Sequence, residues 1–412
     1  MIFDSQIDEI ERAQTKIKVI GVGGAGKNAL NHMVENEVRG VEFIAVNTDA
    51  QDLKSTHVDH KLLIGKTKTR GQGAGGDPVV GKEAALEAED DIHEMIGDSQ
   101  MVIITCGMGG GTGTGAAPVI AKIAREHGCL TLAICTKPFN DEGPLRMERA
   151  LAGIEEMKKY ADSIIIIPNQ RLLMMLPVGT QWLTALKEAD NVLRKAVQGI
   201  SEIITVPAQM NVDFADIKSA MKGKGATLFG IGIARGANRA VEATRLAIHN
   251  PLLEITINGA TDAIVHITAS ETVSQDEISQ ITSEIKATSG RKLNIRIGFA
   301  VNNDLGDEIV VTVIASGVDL KKQDWEGDEI ADDITDDILT ENITIDSDHA
   351  VSSLNPTPED KTKDIFYRPL SKKEQRKLKK EEKKKANQVS EKKTEKEEVK
   401  KEKPNSNLPP WL

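Results

Sequence analysis

Between an apolar, strand-like run at residues 101–105 and a helix-like pattern at 116–127, the chain reads Gly109-Gly110-Gly111-Thr112-Gly113-Thr114-Gly115. Few folds accommodate such a run. Residues without a Cβ adopt backbone angles that turn several N–H groups toward one anion, and a helix that follows adds its positive N-terminal end. Thr112 and Thr114 supply hydroxyl donors. The segment therefore predicts strand, phosphate-cradling loop and helix within an α/β fold, in preference to an idle glycine turn.

A second glycine segment follows the apolar run 17–20: Gly21-Val22-Gly23-Gly24-Ala25-Gly26-Lys27-Asn28, ahead of a helical pattern through Met33. It fits Gly-x-Gly-x-x-Gly, the dinucleotide fingerprint, and misses the P-loop pattern at Asn28, which lacks the hydroxyl that ligates magnesium there. A dinucleotide site also wants an acid about 20 residues on, and Asp49 lies a little far. Neither pattern explains two glycine loops after successive strands. One nucleotide held from two sides does.

Strand-like runs at 18–20, 41–46, 101–105, 130–135 and 163–167 alternate with helical patterns, which predicts a parallel sheet with helices on both faces and a ligand crevice at the strands' C-terminal ends. A long amphipathic stretch at 181–204 predicts a central buried helix. A second unit with strand-like runs at 227–234, 262–268, 294–300 and 308–315 and a helix at 238–249 predicts a smaller α+β domain. The resulting division is an N-terminal extension 1–15, a nucleotide-binding domain 16–180, the helix and a following segment 181–222, an α+β domain 223–318, a charged linker 319–403 and a terminal peptide 404–412. The linker is acidic at first and then almost wholly Lys and Glu, too poor in large apolar groups to offset ordering entropy, so it predicts disorder, with a solvated single helix as the alternative for the Lys/Glu stretch. The ending Leu408-Pro409-Pro410-Trp411-Leu412 predicts a docking peptide.

Composition narrows the function classes. The net charge of −11 argues against general nucleic-acid binding. No apolar stretch approaches the roughly 18 residues of a membrane helix, and the polar, acidic N-terminus is unlike a signal peptide, so no direct membrane insertion is expected. Cys106, Cys129 and Cys135 lie in or beside apolar runs without metal-like spacing, which predicts buried thiols in a reducing, cytoplasmic setting. His57 and His60 flank Asp59 in a polar stretch and read as a solvated loop or helix end; no metal site is assigned.

The chain from about 16 to 318 resembles the tubulin/FtsZ family, on Gly109 to Gly115, on Val46-Asn47-Thr48-Asp49-Ala50-Gln51, on Gly73-Ala74-Gly75-Gly76-Asp77-Pro78 and on Asn211-Val212-Asp213-Phe214-Ala215-Asp216, the last segment pointing to the FtsZ branch. The resemblance implies a GTPase that assembles head to tail into filaments at the division site, with Mg²⁺ held mainly through the phosphates and membrane-tethering division proteins docking on the terminal peptide. It implies that Gly23, Gly24, Ala25, Gly26, Lys27 and Asn28, with Gly75 and with Gly109, Gly110, Gly111, Thr112, Gly113 and Thr114, line the phosphates and ribose. Glu142 and Arg146 fall on the sugar edge, and Asn28, Asn169 and Asp190 read the base. A carboxylate can accept from both N1–H and N2–H₂ of guanine, a donor pair adenine lacks. Asn211, Asp213 and Asp216 are the implied hydrolytic residues, supplied to the neighbouring subunit's nucleotide. If 213–216 is a helical turn, Asp213 and Asp216 share a face; an ordinary N-cap with an acid in its first turn is the plainer reading, and both can hold. The chain departs from the family at Lys27, at Gln170 and at Leu186, where an aromatic commonly stacks on guanine; its terminal peptide also lacks the usual acidic lead and basic finish.

Overall fold

Apolar runs without polar alternation need cover on both faces, and β1 (Ile17–Val22), β2 (Glu42–Asn47), β4 (Met101–Gly107), β5 (Leu130–Lys137) and β6 (Ser163–Pro168) receive it. The computed structural model describes residues 15–318 apart from 178, 207, 251, 253, 254 and 291; the readings of 1–14, of the linker 319–403 and of the peptide 404–412 lie outside them. A ten-stranded sheet runs in the order β3-β2-β1-β4-β5-β6-β7-β10-β8-β9, where β3 is His60–Leu63, β7 Gly225–Arg235, β8 Asp262–Ala269, β9 Asn294–Val301 and β10 Glu308–Ser316. Strands β1 to β6 pair in parallel, a short parallel contact joins β6 to β7, and β10 lies antiparallel between β7 and β8. The two halves match the parallel and mixed sheets read from the sequence. The edge strand β3 escaped that reading because it is short and half polar.

Along the first half, alternate residues face opposite cores. Ile20, Val22, Ile104 and Cys106 pack with Ala84, Ile92, Ile120 and Ile154, while Val19, Ala45, Ile103 and Leu132 pack with Leu30, Met33, Leu193 and Ile200. The first core is roofed by α3 (Pro78–Glu87), α4 (Glu89–Ile96), α5 (Thr112–Glu126) and α6 (Pro144–Lys158). The second lies under α1 (Gly23–Glu35), α8 (Trp182–Thr205) and α9 (Phe214–Met221), with the short helices α2 (Ala50–Lys54) and α7 (Asn169–Met175) at its margin. The second half of the sheet carries α10 (Arg239–Ile248) and α11 (Gln275–Ser289) over a third core. Ile264 and Ile314 join that half to the α8 core. Among the described residues no helix is long and apolar enough to cross a membrane.

Two readings need correction. The segment from Gly23 is the first turn of α1, not a loop ahead of it, because a Cβ at Gly26 would stand 2.5 Å from the Thr105 carbonyl: glycine lets the helix leave β1 at once and pass over β4. Likewise α5 begins at Thr112, inside the glycine run. The helix at 182–205 is buried along one face only from Ala185 onward; its first turn leaves Trp182 and Leu183 exposed. Cys106, Cys129 and Cys135 are buried thiols, with Cys106 Sγ 3.6 Å from Cys135 Sγ. His57 and His60 point at different acids, Glu35 and Glu42, at 3.5 and 3.8 Å.

Candidate nucleotide site and an acidic face at the opposite edge

Strand order 3-2-1-4-5-6 reverses direction between β1 and β4, and the crevice outside the C-terminal ends of that pair is where such sheets take ligands. Val22 pairs with Cys106 there, so α1 and α5 leave the sheet side by side. Gly23 has φ +73°, and a Cβ on it would lie 3.0 Å from the backbone nitrogen of Gly113. The two glycine segments therefore meet backbone to backbone. A third segment closes against them: the hydroxyls of Thr48 and Thr112 are 2.7 Å apart, Gly73 N donates to Thr48 O at 3.1 Å, and Ala74 packs on Gly111.

Electrostatics at this spot follow from the caps. Asp49, Asp77, Asp213 and Ser274 cap α2, α3, α9 and α11 with side-chain oxygens, whereas α1 and α5 begin without a side-chain cap and without an acid in the first turn. Two bare helix N-termini thus converge on one place, which suits a polyphosphate. Open space lies beside Gly75 and Gly110, and Gly24 faces only Asp52.

The crevice continues toward β6. Glu142 Oε1 accepts from Phe139 N at 2.8 Å and Glu142 Oε2 pairs with Arg146 at 2.8 Å, while the Arg146 backbone lies against Gly109. Asn169, first residue of α7, is buried, and its Oδ1 has no hydrogen-bond partner. A buried amide oxygen without a donor is costly unless a ligand completes it, and a purine amino group would. Gln170 accepts from Asn140 N at 3.1 Å and so ties α7 to the Glu142 turn. Asn28 is exposed on α1 one turn beyond Gly24, on the same face. Lys27 is buried and donates to Asp52 at 2.5 Å and to Ser55 at 3.2 Å; Asn47 Nδ2 meets the other oxygen of Asp52 at 2.7 Å. Burial pushes the Asp190 carboxyl up to about 7, against the pull of Lys27. Leu186 is exposed, but one turn earlier Trp182 stacks obliquely on Phe139 with centroids 4.9 Å apart.

The glycine residues, Lys27 and Asn28, Glu142 and Arg146, Asn169 and Asp190 thus gather at one edge of the sheet. Thr48, Asp52 and Trp182 belong there too. The first two lie in or beside the Val46-Asn47-Thr48-Asp49-Ala50-Gln51 motif, which pointed to the place without assigning them contacts.

Asn211, Asp213 and Asp216 are elsewhere. Along α8, 15 residues separate Asp190 from Thr205, about 22 Å at 1.5 Å per residue. Thr205 lies against the position of Gly40, just before β2 begins, so the helix ends at the N-terminal edge of the sheet. Beyond it Met210 exchanges two backbone hydrogen bonds with Phe299 at 3.1 and 2.9 Å, Val212 is buried, and Asn211 and Asp213 are exposed. Asp213 accepts from Asp216 N at 2.6 Å, so it is an N-cap and Asp216 stands in the first turn, both at once.

Two helices that begin within glycine segments at the switch point of the parallel half of a sheet, with one long helix packed between that half and its mixed half, define a tubulin-type nucleotide-binding protein. Comparison with known proteins narrows this. Residues 16–177 match the GTPase domain of the Tubulin/FtsZ family and residues 225–319 the C-terminal domain of the FtsZ family. An FtsZ dimer from M. jannaschii is 40% identical over 76% of this chain and 91% of its own, with a TM-score of 0.69. A tryptophan-to-tyrosine mutant of that FtsZ gives 40%, 76%, 95% and 0.71. A GTPγS-bound protofilament of CetZ2 from Haloferax volcanii shares the fold at 20% identity, over 74% of this chain and 94% of its own, with a TM-score of 0.64. The chain belongs to the FtsZ family of tubulin-like GTPases: it binds GTP and GDP and hydrolyses GTP.

Proposed function

We propose that this GTPase assembles head to tail into division-ring filaments and hydrolyses GTP where the acidic face of one subunit covers the nucleotide crevice of the next. The observation that carries the reading is the separation of the two faces. Asp213 and Asp216 lie beyond the far end of α8, at the opposite edge of the sheet from the glycine segments, so within one subunit they do not reach the phosphates. No residue of the two glycine segments is suited to orient a water opposite the γ-phosphate. A contact between unlike faces is heterologous and generates open polymers when its rotation does not close.

In this mechanism the starts of α1 and α5 hold the triphosphate, Glu142 and Arg146 border the ribose, and Asn28, Asn169 and Asp190 select guanine. Mg²⁺ on the phosphate oxygens supplies charge neutralisation when bound. Asn211, Asp213 and Asp216 of the incoming subunit orient the attacking water, whose proton passes to a carboxylate of the Asp pair. The filament works in the cytoplasm at the division site without inserting in the membrane, and residues 404–412 dock membrane-tethering division proteins. Removal of 408–412 is expected to leave sedimentable polymer unchanged and to abolish recruitment to such a partner; lost polymer would place the peptide in the filament.

The test of the shared site is concentration. GTPase rate per subunit is expected to be near zero below a critical concentration and constant above it. A specific activity unchanged on dilution, with light scattering at baseline, excludes completion by a neighbour.

A further inference from the structure

The acidic face is not a free-standing loop, because β9 holds it at two points. Phe299 fixes Met210 through the backbone, and three residues away along the same strand Arg296 fixes Asp216 through its side chain. The guanidinium donates from Nε to Asp216 Oδ1 at 2.9 Å, from Nη2 to Ser219 Oγ at 3.1 Å and from Nη1 to Asp262 Oδ1 at 3.3 Å. It is thus spread over α9 and β8 in a planar fork that lysine does not reproduce. The Arg296 side chain is 16% exposed and that of Asp216 49%, so the cation is covered while the carboxylate keeps an open side.

Asp262 anchors the other end. Burial works against its charge, yet hydrogen bonds from Lys224, Thr261, Asn294 and Arg296 outweigh burial and bring its carboxyl down to about 2. Lys224 reaches Asp262 Oδ2 at 2.8 Å, so charges alternate along Lys224, Asp262, Arg296 and Asp216. Such a chain holds its last member in one orientation. It also answers an electrostatic difficulty of the shared site. A face that brings Asp213 and Asp216 against a triphosphate meets like-charge repulsion, and a cation bonded to one of the two offsets it.

We propose that Arg296 is a positioning residue for GTP hydrolysis, which aims the Asp216 carboxylate at the neighbouring subunit's nucleotide and offsets its charge against the phosphates. The inference rests on the assignment of Asp216 to hydrolysis made above. Asp262 has partners in Lys224, Thr261 and Asn294 besides Arg296, so R296Q is expected to retain the local fold.

The experiment is a double-mutant cycle on the full chain, with R296Q, R296K, D216N and R296Q/D216N. It reads kcat per polymerised subunit, critical concentration by sedimentation, and GTP affinity of dilute protein. R296Q is expected to lower kcat at least about tenfold and to leave GTP affinity within about twofold of wild type, and R296K to recover part of kcat. In the D216N background R296Q is expected to cost less than about twofold more, because its route is already cut. An R296Q rate equal to wild type with an inactive D216N overturns the proposal and leaves the role of Asp216 standing. Losses that multiply in the double variant also overturn it, since Arg296 then acts by another route. A D216N that hydrolyses at the wild-type rate fails the underlying assignment itself. Should R296Q not fold, the cycle of R296K with D216N reads the same coupling.

Discussion

At Asp190 a half-buried carboxyl feels the charge of Lys27, and burial outweighs that pull and brings its pKa up to about 7. Only the ionised form accepts from both N1–H and N2–H₂ of guanine. GTP affinity is therefore expected to fall as pH drops below about 7, by up to about tenfold per unit, since binding must first remove a proton. Asp190→Asn loses a charge-assisted pair worth about 1.5–3 kcal/mol, so affinity at neutral pH falls at least about tenfold. Calorimetric titrations from pH 5.5 to 8 check both, and a variant whose affinity keeps the wild-type pH dependence removes Asp190 from the base. The stability sign follows from the same shift. A folded pKa raised above the ordinary 3.8 means the empty subunit binds this proton more tightly than the unfolded chain, so the stability this gives at low pH is lost as pH rises from about 4 to about 7. The reading of Asp190 rests on surroundings that match a known motif, whereas periodicity alone would leave it a surface charge; the structure shows it half-buried and near Lys27. Lys27 was read both as lining the phosphates and as a departure from the family. That it pairs with Asp52 depends on how α2 folds back under α1, which no local pattern encodes.

Among the elements, α3 and the start of α5 approach so closely that side-chain volume decides the contact. A Cβ on Gly81 would stand 2.3 Å from the Gly111 carbonyl oxygen, a backbone atom that cannot swing aside, whereas a Cβ on Gly110 meets nothing within 4 Å. The two substitutions are expected to separate. Gly81→Ala pushes α3 off the glycine run and lowers stability by about 2–4 kcal/mol, read as an earlier urea midpoint, with nucleotide binding weakened as the cradle opens. Gly110→Ala keeps the urea midpoint and loses nucleotide affinity, because its methyl enters the space beside the phosphate cradle. A normal urea midpoint for Gly81→Ala would mean that the helices can slide apart. The same contacts explain what the sequence left unread. Strands at both halves were legible because burial on two faces makes apolar runs, and α8 because its apolar spacing spans many turns. The helix starts were misplaced because glycine reads locally as loop, while here it permits a helix to begin against neighbouring backbone.

For the whole molecule, the proposed shared site, with crevice and carboxylates at opposite ends of α8, would make hydrolysis a property of the polymer, and complementation tests that directly. Asp216→Ala keeps its own crevice intact, so it is expected to bind GTP as wild type does, to assemble, and to hydrolyse slowly, giving polymers that persist. Asp190→Ala keeps its acidic face but binds GTP poorly. In a mixed filament, an Asp190→Ala subunit whose acidic face meets the crevice of an Asp216→Ala subunit completes one intact site from two damaged chains. The reverse contact joins two damaged parts and stays silent. Mixed polymer is therefore expected to release phosphate faster than the two variants measured separately and summed, with an optimum at intermediate ratios. Sites built within one chain allow no such recovery, since each variant carries its lesion into every site it forms. Sedimentation with distinguishable labels establishes that both chains enter the same polymer. If they do, and phosphate release does not exceed the sum at any ratio, the carboxylates at the far end of α8 do not act on a neighbour's nucleotide.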